Sequence, residues 1–289
     1  MIWVISNPTA GTGCGRTIGE KVDKELTDRG IEHVIYFPDS SEQATQIARN
    51  AAEQHAEKVL SVGGDGTLLQ VAEGLCNSKT ALGIIPAGTG NDFIKTIKTP
   101  SAPMEALDFA LANGAKPTDI VRLNDRMFLN EIGTGFDVSV LEYAEKVKHL
   151  VRGLLPYLWG VICTIFHFKP TQVTFSLDGG EESTRDLLVF GAGNGRYIGG
   201  GIPIAPEAVV DDGKLDIILV SKMKTLRMCR VLLPLLQGKI LTFPETEKLV
   251  ASKVRLKGKN LKINIDGEIV PMDQLEIEVL PGAIQVIRP

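Results

Sequence analysis

The amino-acid sequence predicts an α/β domain followed by a β-rich domain, and two patterns carry this prediction. Through residue 117, short apolar runs that read as strands alternate with stretches that read as helices, with brief turns between them. This alternation is typical of a mostly parallel sheet covered by helices on both faces. From residue 118 onward, strand-like runs follow one another through Asn-Asp and Asp-Gly turns, which indicates antiparallel pairing. The predicted domains are therefore residues 1–117 and residues 118–279, with a boundary near Lys116-Pro117.

The first domain is predicted to contain four strands and five helices. The strands are MIWVISNP, EHVIYFP, KVLSVGG and ALGIIPAGTG. The helices are RTIGEKVDKELTDRG, SSEQATQIARNAAEQHA, TLLQVAEGLC, NDFIKTI and PMEALDFALANG, and Gly30 ends the first of them. Thr67 is a candidate N-cap of the third helix, and Asn91 and Asp92 are candidates for the fourth, because short polar side chains accept hydrogen bonds from the free N–H groups of a helix start.

The second domain is predicted from hairpin signals. Turns are expected at residues 124–125, 178–180 and 266–267, within TDIVRLNDRMFLNEIG, TQVTFSLDGGEES and LKINIDGEIVP. LVFGAGNG and KLDIILVS read as further strands, and VLLPLLQGKI reads as a helix. The apolar run GLLPYLWGVICTIFHF, residues 153–168, is shorter than the roughly 18 uninterrupted apolar residues of a transmembrane span, so it predicts a buried or interfacial helix.

Composition argues against several classes of function. The 289 residues carry 31 Lys and Arg against 35 Asp and Glu, a net charge of −4, so no overall attraction to nucleic acid is expected. The four Cys and four His have no metal-ligand spacing, and the scattered cysteines are typical of a reduced cytoplasmic protein. The N-terminal MIWVISNP lacks the basic region of a signal peptide and is expected to be a first strand.

Three glycine-rich segments, NPTAGTG, GGDGT and PAGTGND, follow predicted strands of the first domain. Ligands of open α/β sheets bind beyond the carboxyl ends of the strands, so these segments are expected to line one crevice. Glycine leaves backbone N–H groups open to an anion, and the helix that follows adds the positive end of its dipole. A tight turn is the simpler interpretation of GGDGT. A turn requires no aspartate between its glycines, however, and this favours a phosphate site.

Several segments together carry a resemblance to a known family. GGDGT resembles the nucleotide loop shared by NAD kinases, phosphofructokinases, and diacylglycerol and sphingosine kinases. LGIIPAGTGNDF, residues 82–93, is similar to the diacylglycerol kinase catalytic domain and differs from the N-x-G-x-L-G-F run of NAD kinases. Later blocks of the same family resemble LNEIGTGFDVSV, GNGRYIGGGIPIAPEAVVDDGKLDI and NIDGE. The resemblance, to a bacterial lipid kinase of the diacylglycerol kinase family, covers nearly the whole chain and is weakest at residues 141–172 and around Leu232.

The resemblance implies an ATP- and Mg²⁺-dependent kinase that phosphorylates a lipid hydroxyl, with diacylglycerol as the first candidate. It implies an N-terminal domain like that of NAD kinases and phosphofructokinases, a C-terminal β-sandwich, and an active site in the cleft between them. The last strand, about residues 280–289, is expected to return to the first domain. A lipid acceptor implies a cytoplasmic enzyme, peripheral at the inner membrane surface, with transient membrane contact; no nucleic-acid partner is expected, and a homodimer stays open.

The membrane contact has one candidate segment, residues 150–168. The basic residues around it are compatible with an interfacial element, and a core helix is equally compatible. These residues are Lys146, Lys148, Arg152 and Lys169.

The resemblance also assigns roles to single residues. Glu268 is the implied proton acceptor for the substrate hydroxyl, and Asp65 is implied to organise the catalytic Mg²⁺ and the ATP phosphates; Asp65 as the base is an alternative. Asp212 is implied to bind a structural Mg²⁺ together with the backbone carbonyls of Val209 and Lys214, and Asp211 is expected to be solvated. The implied ATP-binding residues are Asn7, Gly11, Gly63, Gly64, Asp65, Gly66, Thr67 and Thr89.

Two other functions stay open. An NAD kinase-like enzyme with a soluble acceptor would share GGDGTLL, but it does not account for PAGTGNDF. A noncatalytic nucleotide or lipid sensor on the same fold would have no chemical reason to keep both Asp65 and Glu268. Among lipid alcohols, diacylglycerol, a sphingoid base, ceramide, undecaprenol and phosphatidylglycerol all offer a suitable hydroxyl.

Overall fold

The computed structural model describes residues 1–147 and 155–289, and its first half alternates strands with helices. The elements are β1 (Ile2–Ser6), α1 (Ala10–Asp28), β2 (His33–Tyr36), α2 (Ser41–Glu53), β3 (Lys58–Gly63), α3 (Asp65–Leu75), β4 (Ala81–Pro86), α4 (Asp92–Ile97) and α5 (Pro103–Ala112). The four strands are parallel, in the order β4-β3-β1-β2. Parallel neighbours need crossover connections, and the helices that make them cover the sheet.

Two apolar cores flank this parallel sheet. Along β1, Trp3 and Ile5 face a core built with α2, α3 and α4, whereas Ile2 and Val4 face a core built with α1 and α5. Successive strand residues point to opposite faces, so a strand buried on both sides must be apolar throughout. This is why IWVIS reads as a continuous apolar run rather than an alternating one.

The second half is mostly antiparallel. Its elements are β5 (Ala115–Leu123), β6 (Arg126–Phe128), β7 (Glu131–Gly135), α6 (Phe136–Val147), α7 (Leu155–His167), β8 (Thr171–Leu177), β9 (Ser183–Gly193), β10 (Tyr197–Ile198), β11 (Ile202–Pro203), β12 (Leu215–Ser221), α8 (Thr225–Leu236), a 3-10 helix (Ile240–Thr242), β13 (Thr246–Ala251), β14 (Lys253–Lys257), β15 (Lys262–Ile265), β16 (Glu268–Pro271) and β17 (Gln274–Ile287). The hydrogen-bonded order is β16-β15-β7-β9-β8-β14-β17. Ile263 of β15 and Ile277 of β17 lie far apart in this order but share one buried core. The sheet therefore folds over itself like a sandwich.

The last strand, β17, links the two halves. It pairs with β14 near its start, with β5 along most of its length, and in parallel with β4 at residues 285–286. β5 runs from residue 115 to residue 123 and therefore crosses the predicted boundary near Lys116-Pro117. β17 runs from residue 274 to residue 287 and crosses residue 280, where the chain is predicted to return to the first domain. The boundary itself stays a prediction.

The predicted architecture, an α/β half followed by a β-sandwich-like half, is confirmed. The predicted turns also form, with Asn124, Asp178 and Asp266 at φ values of 51, 49 and 45°. The candidate N-cap residues do not cap their helices through their side chains. Helix α3 already begins at Asp65, so Thr67 lies within its first turn, and Asn91 precedes α4 without a capping side-chain bond.

Helices α7 and α8 pack side by side on the sandwich. Their inner faces, with Ile165 and Met228, share a core with β12. The outer face of α7 is exposed, as described below. Among residues 1–147 and 155–289, no helix combines the length and apolar character that crossing a bilayer requires. Lys148 and Arg152, predicted to flank this element, lie outside the described residues.

Candidate functional site

The three glycine-rich loops meet at the carboxyl ends of β1, β3 and β4. Gly11, at φ +56°, approaches the carbonyl oxygen of Ala87 so closely that a Cβ would lie 2.0 Å from it. A Cβ on Gly88 would lie 2.4 Å from the Cα of Gly64. Real Cβ atoms do not tolerate such distances, so the loops can pack this closely only with glycine at these positions. The predicted crevice is therefore lined by all three loops.

Polar side chains tie the first loop to the second. Asn7 Nδ2 donates to Thr67 Oγ1 at 3.0 Å, and Asn7 Oδ1 accepts from the Thr9 N–H at 3.0 Å. Gly63 packs directly against Thr67, whereas Gly66 is exposed with open space around it. No described side chain caps α1 or α3, so the N–H groups at both helix starts are available to an anion.

Asp65 is the side-chain cap of α4. Its Oδ2 accepts from the N–H of Asp92 at 3.0 Å, and its Oδ1 accepts from the N–H of Phe93 at 3.1 Å. Asn91, one of the predicted caps, instead donates its amide to the carbonyl of Gly88 at 2.8 Å. The aspartate of GGDGT thus fastens the second loop to the third. Each of its oxygens keeps a lone pair for a further partner.

The first turns of α4 contact the second half of the chain. Asp92 is buried; its Oδ1 accepts from Lys95 Nζ at 2.9 Å, and its Oδ2 accepts from the Gly200 N–H at 2.8 Å. Thr96 Oγ1 accepts from the Arg196 N–H at 3.0 Å. Sequence reasoning considered Asp92 only as a helix cap. The structure assigns it the contact with the glycine-rich segment that precedes β12.

Asp266, in the turn between β15 and β16, directs its carboxyl group inward. The oxygens accept from the backbone N–H groups of Leu129 at 2.9 Å, Asn130 at 3.0 Å and Glu131 at 2.9 Å. Removal from water raises the pKa of Asp266 to about 6; the N–H groups oppose this shift, and the negative charge of Asp65 adds to it. Asp266 therefore lies near enough to Asp65 for the two charges to interact. The sequence indicated only a turn here, so this role was missed.

Two further buried carboxyl groups lie beside Asp266. Glu131 is 2% exposed, its Oε2 has no partner among the described residues, and burial raises its pKa well above the usual range, with the charges of Asp137, Asp266 and Asp92 adding to the shift. Burial raises the pKa of Asp137 to about 6, although Asn264 Nδ2 donates to its Oδ2 at 3.2 Å.

The buried carboxyl groups come from both halves of the chain. The carboxylate cluster, as we name it, consists of Asp65, Asp92, Glu131, Asp137 and Asp266. Sequence reasoning used the segment around Glu131 and Asp137 only for its family likeness. The Asn-Glu pair after a strand was the available signal, but a polar pair at that position is equally typical of a strand end.

Glu268 lies outside the carboxylate cluster. It is exposed on β16, and its Oε1 is 3.3 Å from Arg126 Nη1. Burial raises the pKa of Glu73 on α3, and the charge of Arg126 opposes this shift, so Arg126 lies near α3. The hairpin that carries Glu268 therefore borders the helix whose first turn belongs to the glycine-rich loops. Thr89, in the third loop, is likewise exposed.

The segment predicted to hold a structural metal surrounds a buried aspartate that the sequence reasoning missed. Asp119 accepts from the N–H groups of Gly213 at 2.8 Å and Gly282 at 2.7 Å. Burial raises the pKa of Asp119, and the charges of Asp212 and Asp211 add to this shift. Asp212 Oδ1 accepts from the Lys214 N–H at 3.0 Å.

Asp211 is exposed, as predicted, and it also forms an ion pair with Arg288 at 2.5 Å. No described group of three or more His, Cys, Asp or Glu side chains is arranged to hold a metal ion. The ligand set implied for Asp212 is of another kind, since it uses the backbone carbonyls of Val209 and Lys214. The carboxylate of Asp212 and the two carbonyls are hard oxygen donors, the kind that Mg²⁺ prefers.

Comparisons with known proteins identify the family and the fold of the chain. A profile of the diacylglycerol kinase catalytic domain matches residues 1–123, and a profile of the YegS C-terminal NAD kinase beta sandwich-like domain matches residues 130–288. The diacylglycerol kinase of Mycobacterium tuberculosis H37Rv is 27% identical over 294 residues, which cover 100% of this chain and 95% of that protein. A Pseudomonas putida protein named "Probable lipid kinase YegS-like" is 33% identical over 269 residues, with 92% and 88% coverage.

Solved structures extend the similarity to three dimensions. A Bacillus anthracis structure superposes with a TM-score of 0.79 at 26% identity, covering 100% of this chain and 97% of its own. The structure of a diacylglycerol kinase from the same organism gives a TM-score of 0.74 at 23% identity, with 100% and 96% coverage, and shows the shared fold. The chain is thus a kinase of the bacterial diacylglycerol and lipid kinase family, with a diacylglycerol kinase catalytic domain and a YegS-type C-terminal domain.

Proposed function

We propose that this kinase transfers the γ-phosphoryl group of ATP to a lipid hydroxyl in a Mg²⁺-dependent reaction, with diacylglycerol as the first acceptor to test. One observation carries the proposal: two uncapped helix starts and three glycine-rich loops meet at one edge of the parallel sheet, and Asp266 of the second half lies near Asp65 of the second loop. Phosphoryl transfer needs an anion cradle, a cation that neutralises the phosphates, and a positioned acceptor.

The cradle is the first half's contribution. The N–H groups at the start of α3, including that of the exposed Gly66, are positioned to bind phosphate oxygens. Asn7 and Thr67 hold the first and second loops in register through their 3.0 Å hydrogen bond. The proposed nucleotide site also includes Gly11, Gly63, Gly64 and Thr89. The glycines allow the backbone to approach the phosphates closely.

Mg²⁺ is commonly held by one or two carboxylates together with substrate phosphates and water, and Asp65 and Asp266 are the proposed carboxylates here. The negative charge of Asp65 contributes to the raised pKa of Asp266, so a cation near both carboxyl groups would relieve their repulsion. Mg²⁺, when bound with the nucleotide, would neutralise charge on the transferring phosphate. Asp65 would hold it, in part through water, because its carboxylate is already fixed by two backbone N–H groups.

Glu268 is the proposed proton acceptor. Both oxygens of Asp65 accept backbone hydrogen bonds, which fix its carboxylate in place. Among the described residues, Glu268 is hydrogen-bonded to Arg126, at 3.3 and 3.4 Å, and its side chain is 68% exposed. An incoming lipid hydroxyl can therefore reach it. These contacts favour Glu268 over Asp65 as the base.

Two further parts of the proposal concern the surroundings of the site. Asp212, with the carbonyls of Val209 and Lys214, would hold a structural Mg²⁺ that relieves the repulsion around the buried Asp119. A lipid acceptor resides in a bilayer, so the enzyme would work from the cytoplasm as a peripheral protein at the inner membrane surface.

The decisive experiment is incubation with γ-labelled ATP, Mg²⁺ and a total lipid extract, followed by identification of the labelled product. Label in phosphatidic acid would support diacylglycerol as the acceptor. Label in another phosphorylated lipid would identify a different lipid acceptor and leave the lipid kinase proposal standing. Label in a water-soluble product would instead establish an NAD kinase-like enzyme. ATP binding without labelled product on any lipid would contradict the kinase assignment and favour a sensor.

A further inference from the structure

Helix α7 presents one continuous apolar face to solvent. Leu155, Trp159, Ile162 and Phe166 recur at the spacing of a single helix face and are 58, 51, 52 and 68% exposed. On the neighbouring α8, Leu226 and Leu236 are exposed as well. Of the nine large apolar side chains exposed among the described residues, six therefore lie on these two helices. Soluble surfaces rarely concentrate apolar side chains in this way without a partner.

The same two helices lie in the acid-free parts of the sequence. Residues 146–177 and 217–244 contain no Asp or Glu, and together they hold nine Lys and Arg. The chain as a whole has a net charge of −4, so this region is positive against a negative background. Of the nine cations, Arg227 is engaged with Glu245 at 3.1 Å. Lys169, Lys222, Lys224 and Arg230 are exposed and have no ion pair among the described residues.

A cavity of about 300 Å³ opens where this face meets α6. His167, Phe168 and Lys169 come after Phe166 in sequence and line the cavity with Lys146 from α6. Ser139 and Tyr143, which carry hydroxyl groups, also line it. Glu142 also lines the cavity and forms an ion pair with Lys262. Cations and hydroxyl groups around a space of this size match the phosphate of a phospholipid headgroup.

We propose that the outer face of α7 and α8 docks on an anionic phospholipid bilayer, with the α7 side chains in the headgroup boundary and the basic residues on the lipid phosphates. An apolar helix face bordered by cations is the pattern of an interfacial element. A second copy of the chain fits less well, because two such faces meeting symmetrically would bring their cations together. The inference rests on the proposed function, since a kinase that takes its acceptor from a bilayer must engage one.

Trp159 provides a direct reporter of this docking. The chain has two tryptophans, and the other, Trp3, is buried against Tyr36 with an indole nitrogen that has no partner among the described residues, so Trp3→Phe removes it without breaking a hydrogen bond. With vesicles of phosphatidylcholine and phosphatidylglycerol, the emission of Trp159 is expected to shift to shorter wavelength and to be quenched by lipids brominated on their acyl chains. Phosphatidylcholine vesicles alone should give a much smaller shift. In a Trp159→Phe variant, Trp3 should not respond.

Charge reversal tests the anionic selectivity. Each basic residue near an anionic surface is worth roughly a fivefold change in partition, so three reversals should lower vesicle binding on the order of a hundredfold or more. The test variant carries Lys169→Glu, Lys222→Glu and Lys224→Glu. The matched control has the same change in net charge on exposed residues of the first half, Lys21→Glu, Arg49→Glu and Lys79→Glu. Co-sedimentation with the mixed vesicles, at two salt concentrations, measures both.

The outcomes separate this inference from the proposed function. Phosphorylation of a short-chain, monodisperse diacylglycerol without vesicles tests catalysis alone, and the test variant should retain it. A Trp159 signal with no activity on any lipid would refute the function and leave the docking face standing. Vesicle binding without a Trp159 response, or equal loss in both charge variants, would overturn the docking face. So would a Trp159 shift that depends on protein concentration alone, since that result indicates self-association.

Discussion

Asp137→Asn is expected to stabilise the folded protein at neutral pH and to change its stability little in acid. The carboxyl group of Asp137 has an unpartnered Oδ1, and burial raises its pKa from 3.8 to about 6. A shift of roughly 2 units corresponds to about 3 kcal/mol of unfavourable ionisation in the folded state. The amide is nearly isosteric and cannot ionise, so the substitution removes this cost.

The direction of the pH dependence of stability follows from proton binding. Asp137 binds its proton more tightly when folded, so its contribution to stability is fully present below about pH 4, the unfolded-state pKa, and is lost as the pH rises through about 6. At pH 4 both the native carboxylic acid and the amide are neutral, and the two proteins differ only by the substitution itself. At pH 8 the variant should exceed the native protein by up to about 3 kcal/mol more than it does at pH 4.

Urea unfolding at several pH values between 4 and 8, in the presence of a chelator, measures this difference. Glu181→Gln, at an exposed position, is the control, and its effect should not depend on pH. The difference between Asp137→Asn and the native protein is the informative quantity, because it cancels the titrating groups that do not interact with Asp137. A difference that stays constant from pH 4 to pH 8 would refute the account of Asp137 as a strained, buried charge.

Three further substitutions test the other parts of the site. Glu268→Gln should lower turnover by roughly 10²-fold or more while ATP affinity, measured by calorimetry, stays nearly unchanged; normal turnover would exclude Glu268 as the base. Gly88→Ala should cost about 1–3 kcal/mol in a denaturant titration and weaken nucleotide binding, because its Cβ would lie 2.4 Å from the second loop's backbone. Gly114→Ala, with open space around it, is the control, and equal effects would contradict the packing argument. Asp212→Ala should abolish the thermal stabilisation that Mg²⁺ gives the nucleotide-free protein; an unaltered Mg²⁺ response would remove Asp212 from the metal site.

The parallel half of the fold could be predicted from sequence because its signals are local. Each strand, loop and helix between β1 and α5 is contiguous in the chain, and the rule that ligands lie at the carboxyl ends of parallel strands places the three loops together. The residues that cap the helix starts were harder to predict from the sequence. Asp65 caps α4 from 27 residues away, and no local pattern distinguishes this from a cap by Asn91 or Asp92.

The sandwich and the carboxylate cluster depend on contacts that local patterns do not encode. Ile132 of β7 pairs with Ile265 of β15, which brings Asp266 against the N–H groups of Leu129 and Glu131. An Asp-Gly pair in sequence indicates a hairpin, and it says nothing about what the aspartate faces. Glu268, two residues later, was assigned by resemblance alone, and the structure adds its exposure and its pairing with Arg126.

The three carboxylates Asp65, Asp266 and Glu268 differ in how firmly they are held, and this difference argues for different roles. Asp65 and Asp266 are each fixed by backbone N–H groups, so neither can move far toward a substrate or give up its position. Groups held in this way are suited to organising a cation, because their geometry is set before the cation arrives. Glu268, in contrast, is exposed at the tip of a two-stranded hairpin and bonded to a single flexible arginine. A proton acceptor must approach a different hydroxyl in every turnover, and of these three carboxylates only Glu268 has the freedom to do so.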